Sequence, residues 1–501
     1  MPLGKQANSG SPANNQSNTG AALGTSVSVC AEPALMVVVA NYGRSNDVYL
    51  QRLLNEFRSM QLRLDVHVLT NIPKDLGHGV NVHVGLPTRD PRSLPFGHRQ
   101  LFADNIERAD YFLYCEDDTL ISEANIRAFL DINSFLHDDE IPGFLRVERL
   151  SEGESYMESA HGPYRWQPES LVKRGPYIFA AFTNAHSAFT MSSRGQLHRA
   201  LQSGGYLVGP HVGRFGMLES AASDLYTQCS MNRLICISRI EEFLVPHLSN
   251  ANSLKWGLKY GEFLEQTRAL QRIYREGGWK GSLLEVETRV PRGFWSKNLY
   301  ERPDPQALAR IPANVRTILS VGSGWGETEE LLAKRGFEVT SLPVDGVFGD
   351  CQRRRGLKTL EGPFESSVAA LQGRKFDLIL MLDILHLVPE PVRWLQLLNP
   401  LLNNSGVLVA TVPRTFDPLR AVWLFRGEPA AVLPRPFAES RIHCISRIRL
   451  RRWFRAAGFR PELQATCNTP TRLSMLMKTY GLADRMLADR FIVRATCQTA
   501  S

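Results

Sequence analysis

Ile318–Gly326 reads ILSVGSGWG. An apolar run of strand length, Thr317–Val321, meets glycines at alternate positions, Gly322, Gly324 and Gly326, and a charged helical segment, Glu327–Lys334, follows at once. Strand, glycine turn and helix in that order make a ligand-binding edge, because glycine lets the backbone turn tightly and approach a ligand closely. The same turn without a ligand is an ordinary strand-to-helix connection. Glu327, Glu329 and Glu330 crowd the first helical turn. They suit the helix dipole but would repel a pyrophosphate, so a ligand carrying positive charge fits this turn better than a dinucleotide.

The stretch belongs to an α/β series. Glu338–Leu342, Phe376–Leu382 and Gly406–Val412 read as strands and Pro391–Leu402 as a helix. ILSVGSGWGETEELLAKRGFEVTSL, followed by FDLILMLDILHLVPEP, SGVLVATVPR and RLRRWFRAAGF, resembles the class I S-adenosylmethionine-dependent methyltransferases from about Gly293 to Phe459. The resemblance implies a Rossmann-like fold and S-adenosylmethionine as cofactor. Gly322, Ser323, Gly324 and Gly326 would line its methionine and ribose, and Leu382 and Asp383 would face the adenine. His386 or His443 would serve as base toward an acceptor hydroxyl, although positioning alone can suffice for methyl transfer. The chain departs from the family pattern twice. Ser320 stands where an acid is usual before the first glycine, and Pro343 where the ribose-binding acid is usual, with Asp345 as its substitute.

Far upstream, Tyr111–Thr119 reads YFLYCEDDT: an apolar strand running into Glu116, Asp117 and Asp118. Adjacent carboxylates repel, and a Mg²⁺ or Mn²⁺ shared with substrate phosphates relieves that cost. An acidic cap for a helix starting near Ser122–Glu123 would use the same residues. Before it, Leu35–Ala40, Leu64–Leu69 and Val80–Val84 read as strands, Asp47–Arg58 and His98–Glu107 as helices. That order, with HRQLFADNIERADYFLYCEDDTLI, resembles the GT-A glycosyltransferase fold over residues 34–250. The resemblance implies a nucleotide-diphospho-sugar donor contacted by Asn41, Tyr42, Thr70, Asn71, Arg99 and Asp117. It implies a metal held by Glu116, Asp118 and His247, and Glu219 as general base with Asp224 as the alternate. Five residues on a helix separate these two by about 140°, so they cannot share one task.

The expected architecture is therefore α/β in two domains: a GT-A-like domain at 31–275 and a methyltransferase domain at 313–501, joined by a proline-rich approach segment at 276–312. Residues 1–30, built of Gly, Ser, Asn, Ala, Gln and Pro, read as a disordered tail that is not a signal peptide. Ser151–Gly175 reads as a long loop, and Leu254–Tyr274 and Ser446–Ala457 as helices. At 501 residues and 43% hydrophobic, the chain is long enough for more than one core. No stretch approaches the roughly 18–20 apolar residues that span a bilayer. Eight scattered cysteines without a CxxC pair suit reduced core thiols and a cytoplasmic protein.

The net charge of +8 is concentrated: between Arg435 and Arg460 eight arginines meet one acid, Glu439. The 441–455 segment is either a solvated basic face or a peripheral contact with the inner face of a membrane or a phosphate-bearing acceptor. No nucleic-acid motif accompanies it. Together the motifs lead to the expectation of a bifunctional enzyme. It would transfer a sugar to a glycan or glycolipid hydroxyl and O-methylate a glycan. Two alternatives remain: one domain binds or scaffolds without catalysing, or the chain is a non-enzymatic carbohydrate-binding protein.

Overall fold

The computed structural model of the protein describes residues 32–149, 153–157, 165–183, 185–250, 258–284, 297–300, 302–415, 436–466 and 490–498. The tail at 1–30 lies outside them, as do residues 254–257 of the helix expected from Leu254. In the N-terminal half the elements run Ala34–Asn41 (β1), Asp47–Ser59 (α1), Arg63–Thr70 (β2), Val80–Val84 (β3), Gly97–Asp104 (α2), Tyr111–Glu116 (β4) and Glu123–Asn133 (α3). Glu140–Pro142 (β5), Leu145–Arg149 (β6), Ser155–Met157 (β7), Trp166–Arg174 (β8), Tyr177–Phe182 (β9) and Thr190–Ser193 (β10) follow. Arg194–Gln202 (α4), Met217–Thr227 (α5), Asn232–Cys236 (β11), Leu244–Pro246 (β12) and Tyr260–Glu276 (α6) complete this half.

The principal N-terminal sheet has the order β10-β4-β1-β2-β3. The strands β4, β1, β2 and β3 run parallel, and β10 runs antiparallel beside β4. The central β1 is apolar along its length and buried on both faces, as a parallel strand between helical layers must be. In α1 the buried set Leu50, Leu53, Leu54 and Phe57 follows helical spacing. Smaller sheets, β5-β11-β9-β8 and β12-β6-β7, flank this one.

Ser151–Gly175 is not a loop throughout. Trp166–Arg174 forms β8, paired antiparallel with β9 through a register shift between Gln167 and Val172. The shift spans Pro168, which cannot donate to a ladder, and it hides the strand from period-two reading.

The C-terminal half runs Pro305–Leu308 (α7), Thr317–Ser323 (β13), Glu327–Lys334 (α8), Glu338–Pro343 (β14), Gly346–Arg354 (α9), Lys358–Thr359 (β15) and Phe364–Ala369 (α10). Then come Phe376–Leu382 (β16), Pro391–Leu398 (α11), Leu402–Pro413 (β17), Arg447–Ala456 (α12), Phe459–Thr466 (β18) and Arg490–Cys497 (β19). Its sheet has the order β15-β14-β13-β16-β17-β19-β18, parallel up to β17 and antiparallel through β19 and β18. The glycine turn therefore leaves the carboxyl end of a central strand, where open α/β sheets bind ligands.

One apolar core runs from Trp166, Phe263 and Leu270 into Leu319, Phe348, Ile379 and Trp394, joining β8 and α6 to the C-terminal sheet. A second fills the principal N-terminal sheet and its helices. Across the first, Arg272 Nε donates to Asp350 Oδ2 at 2.9 Å and Tyr300 Oη to Gln266 Oε1 at 3.2 Å. Among the described residues no helix is long and apolar enough to cross a membrane. The described cysteines, Cys115, Cys229, Cys236, Cys351, Cys444 and Cys497, are free thiols.

Candidate active site

At the end of β4 each carboxylate has protein partners. Asn41 Nδ2 donates to Asp117 Oδ2 at 2.7 Å and Asn46 Nδ2 to Asp117 Oδ1 at 2.8 Å. Arg146 pairs with Glu116 at 3.1 Å. His247 Nε2 lies 3.0 Å from Asp118 Oδ2, and its Nδ1 lies 2.5 Å from Glu148 Oε1. Burial pushes Glu116 up to about 7 and Asp117 up to about 6, against the pull of Arg146 and of the two asparagines respectively. Burial also works against charge on His247, yet its bonds to Asp118 and Glu148 outweigh it and raise the imidazole to about 9. The helix α3 is capped by a Ser122–Asn125 capping box, so these acids are not its cap.

Among the described residues no group of His, Cys, Asp or Glu side chains is disposed to hold a metal ion. Arg146 pairs with Glu116, while His247 meets both Asp118 and Glu148. Arg99, expected to reach a nucleotide, is 2% exposed. Its guanidinium donates to the carbonyls of Ala221, Ser220 and Tyr206 and to Asp224 Oδ2 at 2.8 Å. Asp224 is equally buried, so this pair pins α5 to α2 instead of facing an acceptor. Glu219, in the first turn of α5, is partly exposed on another face of the helix. The ends of β1 and β2 meet: Asn71 Oδ1 accepts from Gly43 N at 2.7 Å, Thr70 is buried, and Tyr42 is exposed.

The glycine turn is stereochemically demanding. Gly322 and Gly326 have φ of +77° and +96°, a region closed to most side chains. A Cβ on Gly322 would lie 2.0 Å from Ile384 Cδ1, and one on Gly324 2.3 Å from the Leu299 carbonyl oxygen. That carbonyl accepts from Trp325 N at 2.7 Å. Residues 297–300, from the approach segment, thus lie over the turn. A pocket is lined by Lys297, Leu299, Ser320 to Glu329 and Leu382. Gln352, reaching from α9, donates to the Gly324 carbonyl at 2.6 Å and to Ser323 Oγ at 2.9 Å.

Of the crowded glutamates, Glu330 turns outward to Arg355 at 2.6 Å, whereas Glu329 turns inward and accepts from Ser320 Oγ at 2.5 Å. The residue that lacks an acid is therefore in contact with one. Glu329, Gln352 and Lys297 escaped sequence reading as site residues. The charge of Glu329 was visible, but its inward direction depends on how α8 is seated.

Asp345 does not take the ribose position. It caps α9, accepting from Val347 N at 2.9 Å and Phe348 N at 3.0 Å, and is wholly buried with Arg165 3.9 Å away. Burial raises its carboxyl to about 6 against the pull of Arg165. The 279–284 segment seals it: Leu283 N donates to the Val344 carbonyl at 2.7 Å. Asp383, at a positive φ of +46°, is ion-paired with Arg490 at 2.5 Å. His386 is 1% exposed and does not line the pocket. His443 Nε2 lies 2.9 Å from the Val388 carbonyl, and burial lowers its pKa. The placement of both speaks against a base at either imidazole. On α12, Arg447, Ile448, Arg449, Arg451, Arg452 and Arg455 are exposed while Leu450 and Phe454 are buried.

Residues 295–464 match the family model described as a methyltransferase domain. Over 172 residues the chain is 29% identical to a ubiquinone biosynthesis O-methyltransferase of Histophilus somni (strain 2336), covering 30% of this chain and 72% of that protein. A protein of the same description from Actinobacillus pleuropneumoniae serotype 7 (strain AP76) is 32% identical over 130 residues, covering 24% of this chain and 56% of that protein. The chain thus spans little more than half of that relative. Among solved structures, an S-adenosylmethionine-dependent methyltransferase from Mesorhizobium loti aligns at 16% identity and a TM-score of 0.28, covering 38% of this chain and 96% of that one. The C-terminal part of the chain is a class I S-adenosylmethionine-dependent methyltransferase domain with a Rossmann-like α/β fold.

Proposed function

We propose that the C-terminal site transfers a methyl group from S-adenosylmethionine to a hydroxyl oxygen. The observation that carries this is the pocket over the glycine turn, which sets a buried carboxylate, Glu329, beside the close backbone approach at Gly322–Gly326. Its donor set fits a cationic, phosphate-free ligand. When bound, the cofactor supplies an electrophilic methyl group. The chain's own part is to hold it, to exclude water beneath residues 297–300, and to present the acceptor. The relatives are O-methyltransferases by name, which favours an oxygen acceptor.

A second activity is proposed for the N-terminal half, with the division of labour falling across 276–312: transfer of a sugar from a nucleotide diphosphate to a glycan or glycolipid hydroxyl. What favours it is the order β3-β2-β1-β4 with β10 antiparallel, together with Asn41, Thr70 and the three acids gathered on one sheet edge. Glu219 is the candidate base. Asp118, beside Glu116 on that edge, is the residue whose removal tests a role for Mn²⁺ or Mg²⁺. Fusion would raise the effective concentration of one site's product at the other.

The test uses the full chain with labelled S-adenosylmethionine, a panel of nucleotide sugars and glycan acceptors, each with and without Mn²⁺ or Mg²⁺. Gly324→Asp should abolish methyl transfer and spare sugar turnover, and Asp118→Ala should do the reverse. Methyl transfer that survives Gly324→Asp would overturn the first assignment. Absence of sugar turnover across the panel would leave a single-activity methyltransferase.

A further inference from the structure

The pocket over the glycine turn holds two buried, oppositely charged side chains. Lys297 and Glu329 are each 3% exposed and both line it. They enter from different directions. Lys297 comes down from the segment that covers the turn, and its Nζ donates to the Leu382 carbonyl at 2.5 Å. Glu329 rises from the first turn of α8 and is anchored by the Ser320 hydroxyl. Among the described residues Glu329 makes no ion pair, so a buried carboxylate is left with a neutral donor and the positive end of its helix. A buried carboxylate in that setting gains from a cation delivered by a ligand.

We propose that Glu329 and Lys297 clamp the amino-acid end of the cofactor, Glu329 taking its α-ammonium and Lys297 its α-carboxylate. The proposal rests on the reading of this pocket as the S-adenosylmethionine site. It accounts for the departure at Ser320. The carboxylate missing from β13 is supplied by the helix that follows, and Ser320 becomes the hydroxyl that orients it. A serine suits that task because an acid at 320 would face Glu329 across a hydrogen-bond distance and repel it. A zwitterion suits the pocket for the same reason, since it brings one charge for each wall.

Isothermal titration of the full-length protein separates the two roles through a ligand series. S-adenosylhomocysteine carries both charged groups. S-adenosyl-3-thiopropylamine keeps the amine and lacks the carboxylate. Methylthioadenosine lacks both. Glu329→Gln should weaken the first two by roughly tenfold to a hundredfold, as expected for a charge-assisted hydrogen bond, and leave methylthioadenosine unchanged. Lys297→Ala should weaken S-adenosylhomocysteine by a similar factor and spare the other two. Adding Ser320→Asp to Glu329→Gln returns the carboxylate from the strand side and should restore most of the loss. Apo melting temperatures of the variants report whether the fold is intact.

Equal weakening of all three ligands would make either residue merely structural and overturn its assignment. Tighter S-adenosylhomocysteine binding by Lys297→Ala would show that the lysine competes for the pocket, and would also overturn the clamp. A wild-type protein that binds methylthioadenosine as well as S-adenosylhomocysteine defeats the clamp while keeping the nucleoside site. One that binds none of the three defeats the cofactor reading itself.

Discussion

At the residue scale the site is a matter of which polar groups face inward. Gly324 shows how little space separates function from collapse, with the Leu299 carbonyl 2.3 Å from where a Cβ would stand. Gly324→Ala should therefore lift residues 297–300 from the turn and weaken S-adenosylhomocysteine by tenfold or more in a titration. The Arg99–Asp224 pair makes the opposite point. Asp224 was the alternate general base in the sequence, but both partners are buried, and removing one strands the other's charge. Asp224→Ala should cost about 3–5 kcal/mol, read as a lower denaturation midpoint. The residue types were legible in the sequence. Their directions were not, because a side chain's neighbours across the sheet are set by packing, as the inward turn of Glu329 and the sealing of Asp345 both illustrate.

At the element scale the helix that follows a strand does more than cross over. The helix α9 reaches back to the glycine turn through Gln352, whose amide bonds Gly324 and Ser323 in a buried network with Ser341. Gln352→Leu keeps the bulk and leaves those groups without their partner, at a cost of about 1–3 kcal/mol in unfolding free energy. Cofactor affinity should fall with it. Elements with one strong period were legible: Glu327–Lys334 is a helix over the residues the sequence indicates, and Thr317–Val321 lies within β13. The strand β8 was hidden by its bulge. Pro391–Leu402 ends early as a helix, at Leu398, and a 3-10 turn over Asn399–Leu401 carries Pro400 into β17.

At the scale of the whole molecule the two halves share a core. Trp166, Phe263 and Leu270 pack in the same cluster as Leu319 and Phe348, and Arg272 reaches Asp350. Residues 33–275 produced alone would expose that surface, so they should aggregate or bind a hydrophobic dye. The full chain should melt with β8, α6 and the C-terminal sheet in one transition, followed by calorimetry alongside tryptophan fluorescence. Separate transitions for the two halves would contradict the shared core. A shared core of this kind joins the N-terminal half to the methyltransferase domain by packing, not by a flexible tether.

The sequence by itself determined the strongly periodic strands and helices, the glycine turn and the acid cluster, because these follow from local periodicity and from the conformations that residues such as glycine permit. Tertiary structure alone decided which charges meet. Arg146 and His247 are brought to Glu116 and Asp118, Arg165 to Asp345, and Glu329 to Ser320 by contacts between segments that burial, not adjacency, holds together. Electrostatic pairing depends on distance through space and on exclusion of water, and neither is written in the local order of residues.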